Sequence, residues 1–477
     1  MRRRAWAIGA AVVLALPLLG HGAALQCAAM APPTVDIGPQ RDPVPASDDP
    51  DRRELGTSWA RHRGAIHEVR LEGTPEELGY ANVALLYDDQ VAIERDLHHQ
   101  FEHFVPYAAA RSLIVDVARV RFGPLDQRLS PSYRRELAAQ AAAFTPDPFT
   151  SLMDTYPRFV FLHSLYDILL SFERSPLIGC TSFVVRPPLT RGHTLVGRNF
   201  DFEGPQTLDD HKAVFLILED GHIPFASVSW PGFIGVTTGM NVEGLTVVLH
   251  GARAGEPRSH GEPVAQTIRE LLATTHTTRE ALALLDHRDP MVPHMLLVAD
   301  GTGDAAIVER VPGAPPYART IEAATLPLTN HLEGPFADDP KNLAVREATS
   351  TLPRRARLDE RLATIPAGHA TPELALSILR DKRGPGDTPL SLGHRHAIDA
   401  LIATHSVVMD ATARVLWVSE GPHATGRYIR FDLTELLDPD YRPDGPAEVE
   451  ALPADPIVED GSFTRWVDAG RRHDGRE

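Results

Sequence analysis

An α+β chain is expected, with helices layered over antiparallel sheet, and three observations predict it. Between residues 65 and 173 the apolar residues recur mostly at helical spacing. At Cys180 the texture changes to short β-branched and aromatic runs, most of them separated by Gly, Pro, Asn or Asp. Farther on, helices and strands come in blocks rather than alternating one for one, which argues for layers and against a βαβ series.

Taken in order, "MRRR" is a positively charged start and Ala5 to Gly20 is an apolar run broken by Pro17, with small residues at Gly22 to Ala24. Residues 1–26 therefore read as a secretory signal or, if uncleaved, an N-terminal anchor. The run is short for a membrane span, which needs ~20 apolar residues. Residues 27–64, rich in Pro, Asp and Arg, read as a linker. Residues 65–179 read as a mainly helical segment. Thr74 is its first N-cap, ahead of Pro75, Glu76 and Glu77. Residues 180–435 carry the strands, from "TSFVVR" to the hairpin "THSVVMDATARVLWVSEG" with its turn near Ala411 to Ala413. Residues 436–477 are acidic and Pro-rich and read as an extended tail.

The 477 residues, 43% of them hydrophobic, suffice for a large core. A formal net charge of −17 repels phosphate backbones, so no nucleic-acid partner is expected. Walker loop, GxGxxG, HExxH, CxxC and GxSxG are all missing, and no cofactor is expected. Of the 22 histidines, His98 and His99 are adjacent, but no pair has ligand spacing followed by a third ligand, so no metal is expected either. The only cysteines are Cys27 and Cys180, which rules out a disulfide framework.

Cys180 follows Gly179 at the point where helix gives way to strand. A thiol by itself is more often a buried small hydrophobe than a nucleophile. A cut between Gly179 and Cys180 would change that. Cys180 would then carry both a thiol and an α-amine of pKa ~7.7–8.0, so one residue would supply nucleophile and base. Gly179 leaves the carbonyl open to attack by the Cys180 sulfur.

The stretch resembles the cysteine branch of the N-terminal-nucleophile hydrolases. This branch includes the penicillin-forming acyltransferase group (peptidase family C45), the bile-salt hydrolases and the acid-ceramidase-like amidases. The resemblance rests on Cys180-Thr181, followed by Gly197, Arg198, Asn199, Phe200 and Asp201. It continues in "TGMNVEGLTVVLHG" (Thr238 to Gly251), "LTNH" ending at His331, "STLPRRARL" (Ser350 to Leu358) and the closing hairpin. "GTPEELGYANVALL" is similar to the opening of the family's pro-segment. The likeness covers roughly residues 70–435.

It implies a four-layer αββα sandwich, self-cleavage between Gly179 and Cys180, and an acyl-enzyme on Cys180. The α and β chains would stay associated after the cut. The implied substrate is a small N-acyl compound with a linear amide bond. Asp201 would hold the α-amine, Arg198 would favour thiolate, Asn330 would donate to the oxyanion, and Arg354 would brace the site or a substrate acid. Alone, Arg198 and Asp201 read as a hairpin ion pair, Asn330 as a turn residue, and Arg354 as one of three helix-face arginines with Arg355 and Arg357. His250 stands where the family often has an Asn oxyanion donor and is expected at the substrate site. "VSWPGFIGV" (Val228 to Val236) is expected to line an acyl pocket or to be a core strand. The rival readings are an acyltransferase, an uncut envelope binding protein, and a papain-like enzyme with His405 as base. Export to the periplasm, envelope or exterior follows from the N-terminus, the only expected membrane contact.

Overall fold

The computed structural model describes residues 20–39, 41–151, 153–171 and 178–470. Most of the expected signal or anchor segment, residues 1–19, lies outside them, as do residues 172–177 just before the Gly179–Cys180 bond. Among the described residues no helix is long and apolar enough to cross a membrane.

Eighteen strands follow one another along the described chain. They are β1 (Val44–Pro45), β2 (Arg53–Leu55), β3 (Ser58–Arg63), β4 (Ile66–Gly73), β5 (Ile178–Val185), β6 (Leu195–Phe202), β7 (Ala213–Glu219), β8 (Phe225–Ser229) and β9 (Thr238–Asn241). Then come β10 (Thr246–Gly251), β11 (His294–Ala299), β12 (Ala305–Arg310), β13 (Tyr317–Thr320), β14 (Thr325–Leu328), β15 (Ala403–Asp410), β16 (Val415–Ser419), β17 (Tyr428–Asp432) and β18 (Ala451–Leu452). They form two sheets. One runs β1-β2-β3-β4-β7-β8-β9-β10-β11-β12-β13 and the other β14-β5-β6-β15-β16-β17-β18. Pairing is antiparallel except between β4 and β7.

Period-two alternation sorts the side chains into layers. Val184, Val196 and Met409 of the smaller sheet meet Val214, Leu216, Val248 and Leu297 of the larger one between the sheets. The neighbouring positions Val69, Phe215, Leu249 and Leu296 face outward, onto Leu78 and Leu85 of helix Pro75–Phe104 and Ile268 and Leu272 of helix Val264–Thr274. On the opposite side Phe183, Val185 and Val408 pack on Leu358 and Leu362 of helix Thr351–Ala363 and Ile378 of helix Pro372–Leu379. Helix, sheet, sheet, helix is the expected αββα order. Gly197 is needed in it: a Cβ there would fall 2.3 Å from the Phe183 ring.

Thr74 caps helix Pro75–Phe104 through a capping box with Glu77, as its sequence predicts. Three other expectations are corrected. The linker over 27–64 contributes β1 to β3, and the start of the helical segment is β4, which pairs in parallel with β7. Charged residues in "WARHRG" mask strand character that is satisfied by tertiary partners. Arg61, for example, donates to the buried Glu68 across the β3–β4 pair. The acidic tail is not extended throughout. β18 pairs with β17, and helix Ser462–Asp468 seats the buried Trp466 against Gly393.

Candidate active site

β5 runs through the Gly179–Cys180 bond, with Gly179 opposite Asp201 and Cys180 opposite Phe200 on β6. Alternation therefore separates two faces. Cys180 lies at the apolar end of the inter-sheet layer, against Phe200, Ile93, Leu208 and Trp230. Thr181, Asn199 and Asp201 face the helices that follow β14. Asn199 donates to the Leu379 and Ile398 carbonyls, and Arg354, on helix Thr351–Ala363, donates to Thr181 Oγ1 at 2.9 Å.

Four of the expected residues converge on Cys180. Arg198 Nη2 lies 4.0 Å from Cys180 Sγ and its Nη1 donates to the Leu249 carbonyl at 2.7 Å. Its guanidinium stacks over Phe200, 4.9 Å from the ring centroid. The Cys180 N–H donates to Asn330 Oδ1 at 2.8 Å. Arg354 donates to the Cys180 carbonyl and, from Nη2, to the same Asn330 oxygen at 2.8 Å. The Asp201 carboxylate sits beside Gly179: a Cβ on that glycine would fall 3.6 Å from Asp201 Oδ2. The Gly179–Cys180 bond is thus held on both sides by polar side chains.

Asn330 has a different orientation from the oxyanion donor expected of it. Two donors, Cys180 N–H and Arg354, fix its oxygen toward Cys180, while its Nδ2 donates to the Gly251 carbonyl at 3.2 Å. His250 departs further from expectation. Its Nδ1 donates to the Thr329 carbonyl at 3.0 Å, which leaves Nε2 as acceptor of the Ser182 hydroxyl at 2.7 Å. Both ring nitrogens are used and the residue is fully buried, so His250 cross-links β5 to the end of β14. His405, the candidate papain-like base, pairs with Phe200 across β15–β6, two strands from Cys180 and so about 10 Å away. Its ring stacks on Phe200 and its Nε2 bonds Thr238 Oγ1.

Burial sets the protonation states. It pushes the Cys180 thiol up to about 11 against the pull of Arg198, so the thiol is neutral. Burial also raises Asp201 to about 7, opposed by Arg354. Two guanidiniums, Arg198 and Arg354, thus surround one weakly ionised carboxyl, and the site carries surplus positive charge.

Next to Cys180 is an apolar cavity of about 140 Å³. Trp230, Pro231, Gly232 and Phe233 line it, as one of the two readings of "VSWPGFIGV" requires, with Phe200 and Tyr166. Tyr166, on helix Leu165–Leu170, gave no sequence signal because an aromatic on a helix looks like core. Its hydroxyl is buried and has no hydrogen-bond partner among the described residues, nor has Arg198 Nε. Burial, followed by the nearby Cys180 sulfur, raises the Tyr166 pKa well above its ordinary value, so the hydroxyl keeps its proton.

Residues 189–389 match the family described as acyl-coenzyme A:6-aminopenicillanic acid acyl-transferase. The N-acylethanolamine-hydrolyzing acid amidase of Cavia porcellus is 27% identical over 199 residues, 38% of this chain and 53% of that protein. The Mus musculus protein of the same name is 22% identical over 196 residues, 38% of this chain and 52% of that protein. The chain spans about half the length of these curated relatives. Among solved structures, a Caenorhabditis elegans ortholog of that amidase aligns with TM-score 0.37 and 17% identity, over 49% of this chain and 93% of its own. The family match begins after Cys180 and takes in Arg198, Asp201, Asn330 and Arg354, so the expected likeness to the penicillin-forming acyltransferase group is borne out over residues 189–389.

Proposed function

We propose that the chain is a self-cleaving cysteine amidase that hydrolyses the linear amide bond of a small N-acylated substrate. One observation carries this reading: the Gly179–Cys180 bond lies between Arg198, Asn330, Arg354 and Asp201, beside an apolar cavity. The names of the relatives, amide-hydrolysing enzymes, support it.

In self-cleavage, Cys180 Sγ adds to the Gly179 carbonyl carbon and gives up its proton, which ends on the Cys180 nitrogen. The C–N bond breaks as the nitrogen takes up a proton, leaving a thioester. Water then hydrolyses the thioester to the Gly179 carboxylate and the free thiol. The new α-amine remains against Asn330 Oδ1 and Asp201, where it serves as base for the amidase cycle. Sγ attacks the substrate carbonyl, the amine leaves with a proton from the α-ammonium, and water activated by the α-amine releases the acid. Arg198 Nε and the Tyr166 hydroxyl, the unpartnered donors, stabilise the oxyanion in place of Asn330. The cavity takes the acyl chain. On this reading the protein is exported by its N-terminal segment and its two chains stay joined through the shared sheets.

The family's description favours a second reading, in which an amine captures the same acyl-enzyme. Intact mass and N-terminal sequencing test the cut: two fragments are expected, one beginning Cys-Thr-Ser-Phe, and Cys180→Ala should stay whole. Persistence of the wild-type chain unbroken and active removes the base and the proposal with it. Incubation with N-acyl amides, with and without amine acceptors, then separates hydrolysis from transfer.

A further inference from the structure

We propose that His67, Asp89 and His211 form a zinc site that fastens the segment before Gly179 to the segment after Cys180. The binding claim stands on geometry alone; the fastening rests on the self-cleavage proposed above. His211 Nδ1 lies 2.7 Å from Asp89 Oδ1, His67 Nε2 lies 3.4 Å from the same oxygen, and the three atoms are all within 4.8 Å of one another. Tetrahedral zinc with bonds of ~2.0–2.1 Å needs ligand atoms about 3.3 Å apart, so small side-chain rotations suffice.

The backbone brings these three residues together from far apart in sequence. The parallel β4–β7 pair sets His67 beside the Lys212 carbonyl, which accepts its N–H at 3.2 Å, and so next to His211. Asp89 comes from helix Pro75–Phe104. His67 is buried, while Asp89 and His211 are half-buried, so solvent reaches one side and supplies a fourth ligand. Two imidazoles with one carboxylate select zinc or a neighbouring transition ion over calcium or magnesium, which take oxygen ligands. The rings of His67 and His211 are nearly parallel, at 16°, and both direct a nitrogen at one oxygen. The His62 ring lies against His67, tilted at 44°, and its own Nδ1 is held by Asp51. His67 and Asp89 precede the proposed cut and His211 follows it, so a bound ion would add a bond between the two chains.

The test uses the full protein, stripped with a chelator and titrated with zinc or cobalt. Wild type is expected to take up about one equivalent of zinc, to melt at a higher temperature with it, and to give the visible absorption of four-coordinate cobalt. His99→Ala, at an exposed histidine elsewhere, should behave as wild type. His211→Ala and Asp89→Asn should lose the equivalent and the cobalt band while keeping the wild-type circular dichroism. Equal uptake by wild type and His211→Ala, or no uptake at micromolar zinc, overturns the site and leaves a metal-free imidazole–carboxylate network. Fragment separation on chelation is read only in cut protein, so an uncut chain refutes self-cleavage without touching the metal measurement.

Discussion

The two faces of the β5–β6 pair are built from adjacent residues yet do different work. On one, Cys180 packs against Phe200 and Trp230, which with Tyr166 line an apolar cavity, and the polar groups there include an unpartnered hydroxyl and an unpartnered Nε. On the other, Thr181, Asn199 and Arg354 are bonded to one another, to backbone or across the strand to Asn330. The bonded face holds the Gly179–Cys180 bond in place. The cavity face keeps two donors without a partner among the described residues. Unsatisfied buried polar groups cost stability, and on the cavity side the Tyr166 hydroxyl and Arg198 Nε are two of them.

Substitutions on each side should break this division. Cys180→Ala joins both faces and should abolish cleavage and turnover together, read by intact mass and amine release. Arg354→Ala should slow precursor cleavage by ~10²-fold or more, because it removes one of the two donors on the Asn330 oxygen and the side-chain donor to the Cys180 carbonyl; a time course of precursor loss checks it. Trp230→Ala, on the cavity side, should leave cleavage intact, lower kcat/KM for long acyl chains by about tenfold and cost about 3 kcal/mol in denaturant unfolding. Tyr166→Phe should lower kcat by up to about tenfold at unchanged KM and unchanged cleavage, if its hydroxyl is one of two oxyanion donors.

The smallest effect sharpens the electrostatic side of the contrast. Asp201 has a folded pKa raised to about 7, above the 3.8 of an exposed Asp, so between these values the folded state holds a proton that the unfolded state has lost. Its contribution to stability is fully present below pH 3.8 and is lost as pH rises toward 7. In a Cys180→Ala background, Asp201→Asn should therefore unfold less readily than its parent at pH 7.5. The difference should shrink at pH 5, measured by urea unfolding at the two pH values.

Legibility followed the same division between local and distant partners. The Cys180-Thr181 and Gly197-to-Asp201 stretches sit on neighbouring strands, and their motif spacing survives in sequence. Thr74 and its capping box were legible because both partners lie within one helical turn. β1 to β4 were not, since their polar residues look like linker until Glu68 and the β7 strand supply partners. The same holds for the orientation of Asn330 and the closure of His250 onto Ser182 and Thr329, which depend on residues brought in from other strands.

By itself the sequence determined the layered α+β class, the position of the helix-to-strand change at Cys180 and the set of polar residues able to surround it. Periodicity and motif spacing are local properties and need no partner. Only the tertiary structure decided which atom of each residue faces the sulfur, that His250 is a core cross-link, that Tyr166 borders the cavity, and that His67, Asp89 and His211 meet. Those facts depend on sheet register and helix packing, which bring together side chains far apart in sequence, such as Thr181 and Arg354, separated by 173 residues.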